Sequence, residues 1–135
     1  MASSRKPNLS RALALGFAAF LIAMVIIANR GEGGQWWPFL EKIPYGDKLG
    51  HIVLFGTLGF LCNLAFPGKR LPWSAKLITK TTLVLLVIIT LEELSQAFIP
   101  SRTLDLQDWL ADLLGLVIGQ TAALAIRSEE RRAKS

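Results

Sequence analysis

The sequence predicts an all-α fold, a four-helix transmembrane bundle with both termini on the cytoplasmic side. Three observations predict it. Apolar residues make up 52% of the 135-residue chain and are gathered into four blocks rather than spread evenly. The mean hydropathy is +0.43, high for a soluble domain of this size. The charged residues sit at block ends, and the basic ones concentrate on alternate connections.

Each block is about 18–24 residues long, enough for a helix to cross about 30 Å of hydrocarbon. Helices are the form expected, because backbone amides in lipid need partners within their own segment. The first span, 9–28, carries Arg11 near its start and no charge over 12–28. Its basic start resembles a signal peptide, but its apolar run is longer than a signal core and "VIIANR" has no small-x-small cleavage site. It is read as a retained anchor. The connection that follows, "NRGEGGQWWPFLEKIPYGD", is marked as turns by its glycines and prolines. Trp36, Trp37 and Tyr45 suit a membrane–water interface, and a short interfacial helix is expected around 36–42.

The second span, 49–66, contains Cys62, the single cysteine, which allows no intrachain disulfide and reads as an apolar filler. "PGKRLPWSAK" forms a basic turn with Trp73 as an interfacial residue. The third span, 75–98, is uncharged over 81–91. The tight loop "IPSRTLD" makes spans three and four antiparallel neighbours. The fourth span covers 106–126, and the tail "RSEERRAKS" is expected to fray. The chain at 1–135 is read as one domain, without repeats.

The net charge of +5 raises the question of nucleic acid, and its distribution answers it. If each span reverses the side, Arg5, Lys6, Arg11, Lys69, Arg70, Lys76, Lys80, Arg127, Arg131, Arg132 and Lys134 fall on one side. Only Arg30, Lys42, Lys48 and Arg102 fall on the other, which is 11 basic residues against 4. That bias places both termini in the cytoplasm and leaves no nucleic-acid footprint.

The ionisable residues of three segments converge on the opposite, outer face. Asp47, Lys48 and His51 begin span two. Glu92, Glu93 and Gln96 end span three, Arg102 and Asp105 lie in the loop, and Asp108 and Asp112 begin span four. Asp108 and Asp112 share a helical face that continues through Gly115 and Gly119, a small-residue stripe suited to close helix approach. Asp47 and His51 share a face that continues through Phe55 and Gly59, while Glu93 and Gln96 share a third. Glu93 lies about 7–8 Å below the end of its span, where a carboxylate must face the bundle or a wet cleft.

These residues define an expected outward-opening pocket. His51 is the candidate proton carrier, oriented by Asp47, Glu93 or Asp108, or else a tie between two helices. Arg102 suits two-point binding of phosphate or carboxylate, with a salt bridge to Asp108 or Glu93 as the alternative. Lys48 supplements it or simply extends its ammonium to the interface. Glu93, Asp108 and Asp112 could hold a divalent cation, supply a general acid, or only bond helices together. The residues demand no cofactor, and a divalent cation stays open. Glu92 points about 100° away from Glu93 and is placed outside the site. Asp105 suits the N-cap of span four.

"DKLGHIVLFGTLGF" followed by "EELSQAFIPSRTLDLQDWLADLLGLVIG" resembles the VanZ-like family of small bacterial membrane proteins. The matching residues are Asp47, Lys48, His51, Glu93, Gln96, Arg102, Asp108, Asp112, Gly115 and Gly119, within a region of resemblance at 47–120. The resemblance implies a plasma-membrane protein of the cell envelope, from a family associated with resistance to the glycopeptide teicoplanin. A proposed kinship with head-group-exchange enzymes implies chemistry on a phospholipid or polyprenyl-phosphate. The expected function is therefore head-group transfer or hydrolysis at the outer leaflet. His51, Glu93 and Asp108 would be catalytic, and Arg102, Asp47, Lys48, Gln96 and Asp112 would bind substrate. The alternatives are a non-catalytic binder of an anionic lipid, wall precursor or antibiotic target, and a purely structural bundle. Oligomeric state is not legible.

Overall fold

The computed structural model describes residues 7–74 and 77–135. In chain order it contains α1 (Pro7–Asn29), a one-turn α2 (Gly33–Trp36), α3 (Gly46–Ala65), α4 (Lys80–Ser95) and α5 (Leu106–Lys134). Short 3-10 turns lie at Leu40–Lys42, Pro72–Ser74 and Gln96–Phe98. Four helices are long and apolar enough to cross a membrane: Asn8–Asn29, Gly46–Ala65, Lys80–Phe98 and Leu106–Lys134. The expected all-α, four-span architecture is the one observed. Of the basic residues used to orient it, Arg5, Lys6 and Lys76 lie outside the described residues, as do Ala75 and the side chain of Trp36.

The element ends follow local chemistry. α3 begins before the expected position because Tyr45 adopts a left-handed conformation, φ 56°, and turns the chain sharply into Gly46. A methyl group on Gly46 would meet the Leu40 carbonyl oxygen at 2.5 Å, so only glycine fits there. α4 begins later than expected, at Lys80. The preceding connection pairs with itself, Leu71 N donating to Ile78 O at 2.8 Å and Lys80 N to Lys69 O at 3.0 Å. Thr79 then caps α4, its side chain accepting from Thr82 N at 3.1 Å. Asp105 caps α5 as expected, accepting from Gln107 N at 2.8 Å.

Two expectations need correction. The tail "RSEERRAKS" does not fray: α5 continues to Lys134, with Arg131, Arg132 and Lys134 in its last turn, where cations complement the exposed carbonyls. The single interfacial helix expected around 36–42 is instead two separate turns, Gly33–Trp36 and Leu40–Lys42.

α3 is the central helix. On one side it packs against α1, where Ala14 and Leu21 meet Leu58, Cys62 and Ala65. On the other it crosses α5 at backbone contact. A methyl group on Gly115 would lie 2.6 Å from Ile52 O, and one on Gly119 would overlap Gly56 O. Across the same crossing, one on Gly59 would lie 2.9 Å from Leu116 O. The Gly115–Gly119 stripe therefore performs the close approach expected of it.

The distribution of polarity is inverted relative to a water-soluble protein. Large apolar side chains such as Leu15, Ile22, Val84, Ile88, Leu110 and Ile118 are exposed. Asn63, Thr79, Thr82, Glu93, Asp112 and Gln120 are buried. Lipid gives no hydrophobic drive between helices, so small residues and hydrogen bonds hold the bundle together.

Candidate functional site

The glycine crossing fixes where the ionisable residues meet. Towards one end of the bundle, the face of α5 that carries Gly119 and Gly115 continues to Asp112 and Asp108. The facing side of α3 continues to His51 and Lys48. With the backbones in contact below, these side chains have only a short gap to span. His51 Nδ1 lies 2.6 Å from Asp112 Oδ1, and His51 Nε2 lies 3.9 Å from Asp108 Oδ2. The ring stacks on Phe55 with centroids 5.9 Å apart. Asp112 is 1% exposed, and the His51 ring gives its buried carboxyl a hydrogen-bond partner.

Lys48 is a hub, not a peripheral lysine reaching for the interface. Its Nζ contacts Asp105 Oδ2 at 2.8 Å, Asp47 Oδ2 at 2.9 Å, and Asp108 Oδ1. The ammonium beside Asp105 holds that carboxyl below the usual carboxylate range, and the Gln107 amide adds to the effect. Asp105 thus joins the site as well as capping α5.

Arg102 does not form the salt bridge to Asp108 or Glu93 that was the alternative to anion binding. Its Nη1 donates to Asn29 Oδ1 at 3.0 Å, and Ser101 Oγ donates to Asn29 O at 2.6 Å. The loop between α4 and α5 is thereby tied to the end of α1. Among the described residues Arg102 has no ion pair.

Glu93 faces the bundle as expected, while Glu92 takes a place in the cleft that was not expected of it. Glu93 is 3% exposed and turned toward α5, where its Oε1 accepts from Asp105 N at 2.9 Å. Its Oε2 has no hydrogen-bond partner among the described residues. Glu92, placed outside the site on helical angle, is the glutamate that faces Arg102's cleft. Both its oxygens accept from Gln96 Nε2, at 2.9 and 3.0 Å, so Gln96 pairs with Glu92 at i,i+4 rather than acting with Glu93. That spacing was the signal available in the sequence.

The result is a layered site. A cleft of about 150 Å³ opens between α1, α3 and the loops, with Asp47, His51, Glu92 and Arg102 as its ionisable lining. Leu21, Met24, Val25 and Leu54 continue it as an apolar groove, and Trp37 and Leu40 close its side. Lys48, Asp108, Asp112 and Glu93 form a second layer behind His51. The carboxylates considered for a cation are divided among different partners: Glu93 to the Asp105 amide, Asp108 to Lys48 and Asp112 to His51. Among the described residues, no group of three or more His, Cys, Asp or Glu converges in a metal-holding arrangement.

The opposite end of the bundle holds a neutral network that the sequence reading did not anticipate. Asn63 Nδ2 donates to Thr82 Oγ1 at 3.0 Å, and Thr79 Oγ1 donates to Asn63 Oδ1 at 2.7 Å. Gln120 Oε1 accepts from Thr79 N at 2.9 Å, and Gln120 Nε2 donates to Leu77 O at 2.7 Å. The network pins the start of α4 to α3 and α5.

The VanZ/LLP1 family model matches residues 3–127. The chain therefore belongs to the VanZ/LLP1 family, and the match extends beyond the 47–120 region of resemblance to include the first span. No curated protein and no solved structure matches it.

Proposed function

We propose that this member of the VanZ/LLP1 family acts on a phosphate-bearing lipid, transferring or hydrolysing its head group at the outer leaflet of the bacterial plasma membrane. The bias of basic residues supports that orientation, with both termini cytoplasmic and the cleft facing outward. One observation carries the reading: the His51–Asp112 pair faces a cleft that also holds Arg102 and continues as an apolar groove. A lipid substrate needs this combination, because its tail stays in the membrane while its phosphate meets the reacting groups.

The chemistry follows from the hydrogen bonds. Nδ1–H donating to Asp112 leaves Nε2 as the basic nitrogen, and the buried carboxylate stabilises the imidazolium that forms. His51 lines the cleft, and its Nε2, 3.9 Å from Asp108 Oδ2 and so not bonded to it, is free to accept from a water or alcohol oxygen. His51 takes the proton of that oxygen as it attacks phosphorus. The bond from phosphorus to the departing oxygen breaks, and His51 returns the proton to the leaving group. Arg102 neutralises the phosphate oxygens through its planar fork. Lys48 holds Asp108 in place by an ion pair.

A non-catalytic binder of an anionic lipid or wall precursor is the second reading. It is favoured by one observation: Asp108 and Glu93, expected to supply a general acid, do not line the cleft. Lipid mass spectrometry on membranes containing the wild type, His51→Ala or no protein separates the two. A phospholipid or polyprenyl-phosphate species should change only with the wild type. Unchanged lipids, together with lipid affinity lost in Arg102→Ala, would establish the binder instead.

A further inference from the structure

Two opposite charges face the same cleft without pairing to each other. Arg102 is held by the neutral amide of Asn29, and Glu92 is held at both oxygens by the neutral amide of Gln96. Among the described residues neither makes an ion pair, although both line one cavity. In a membrane-embedded cleft of low dielectric, a guanidinium and a carboxylate attract strongly and would close on one another if free to do so. The two amides instead hold them apart, as a preorganised site requires. Asp47 also lines the cleft, where it pairs with Lys48 at 2.9 Å, a cation it shares with Asp105 and Asp108. Arg102 and Glu92 are thus the cation and the anion of the cleft that have no ion-pair partner among the described residues.

We infer that the cleft is built for a zwitterionic amphiphile, with Arg102 taking an anionic phosphate, Glu92 taking an ammonium group, and the tail lying along α1 and α3. A purely anionic head would meet Arg102 but be repelled by Glu92. A purely cationic head would meet the reverse. The cavity of about 150 Å³ has room for a phosphate joined to an amine by a short carbon link. Leu21, Met24, Val25 and Leu54 supply the surface for the first segment of an acyl chain. This inference rests on reading the cleft as a lipid site and names the class of lipid.

The test is binding, read without turnover. The full chain in detergent micelles is titrated with dioctanoyl phosphatidylethanolamine, its N-acetylated derivative, dioctanoyl phosphatidylglycerol and free phosphoethanolamine, with thermal stabilisation as the signal. Phosphatidylethanolamine is expected to bind about tenfold more tightly than either anionic lipid, the size of one charge-assisted hydrogen bond. Free phosphoethanolamine should bind more weakly than the lipid that carries the same head. Glu92→Gln, which keeps the acceptor for Gln96, should erase the gap between amine and anionic lipids, and Arg102→Gln should weaken all three. Anionic lipids binding the wild type as tightly as phosphatidylethanolamine would overturn the inference. So would a gap that survives Glu92→Gln, or a free head group that binds as well as the lipid. The N-acetyl comparison uses wild-type protein alone, so it decides the matter even if a variant misfolds. A chain that turns over phosphatidylglycerol without amine preference would overturn this inference and leave the catalytic reading standing. Amine preference without any product would do the opposite.

Discussion

His51 can act on a proton only if its ring is held in one tautomer, and Asp112 does this from a position that is 1% exposed. Asp112→Asn keeps an acceptor for Nδ1–H but removes the charge that stabilises the imidazolium. It is expected to lower lipid turnover by on the order of 10²-fold or more, with binding of phosphate-bearing lipid retained. Turnover and titration on one preparation check both halves. Asp105 makes a different claim, because its lowered carboxyl ties acid sensitivity to the Lys48 hub. A carboxyl depressed in the folded state contributes stability above its ordinary value of 3.8, and loses it as pH falls through the folded value. Melting temperature in detergent should therefore fall as pH drops below about 4, and Asp105→Asn should flatten that part of the curve. At this scale the sequence revealed which residues gather but not which partner each takes. Asp47, Glu93 and Asp108 were the neighbours expected for His51, and the partner it takes is Asp112 instead. The choice depends on the rotation of α5 about its axis, which the glycine contacts set.

Among the elements, the α3–α5 crossing decides everything above it. Its α5 half was readable as Gly115 and Gly119 four apart. Its α3 half was only partly so, because Gly56 lies in a helix with several glycines and nothing local marks the one that meets the partner. Gly119→Ala places a methyl group on the Gly56 carbonyl, where backbone cannot yield without separating the helices. The expected cost is about 1–3 kcal/mol, the range for overpacking a tight core, and the His51–Asp112 contact should open with it. Gly16→Ala is the control, since a methyl group there meets nothing within 4 Å. Equal denaturant midpoints for the two variants would remove the crossing from its central role. The misread end of α5 has a physical cause. The tail of α5 is polar all round, which reads as a frayed end, yet it extends a helix already nucleated in the membrane, and its basic last turn suits the dipole.

Across the whole molecule, polar residues occupy both ends of the bundle with apolar surface between, and the two ends divide the work. One end gathers charges around an open cleft. The other buries uncharged amides and hydroxyls with partners matched to one another. The second end escaped the sequence reading because Asn63, Thr79, Thr82 and Gln120 are isolated polar residues on three segments, without charge to mark them. In lipid, such hydrogen bonds stabilise modestly, about 0.6 kcal/mol on average and up to about 1.7 kcal/mol. Gln120 is at the upper side of that range, because it satisfies both the Thr79 amide and the Leu77 carbonyl. Gln120→Leu should therefore cost about 1–2 kcal/mol, since it strands a buried amide as well as losing the bonds. It should leave turnover per folded molecule unchanged, because the site is held by the glycine crossing and the Lys48 hub at the far end. His51→Gln, whose amide keeps a donor for the buried Asp112, should show the converse, a near-normal melting temperature with turnover lost. If both substitutions lower stability and activity together, the bundle works as a single cooperative unit and the division between its ends fails.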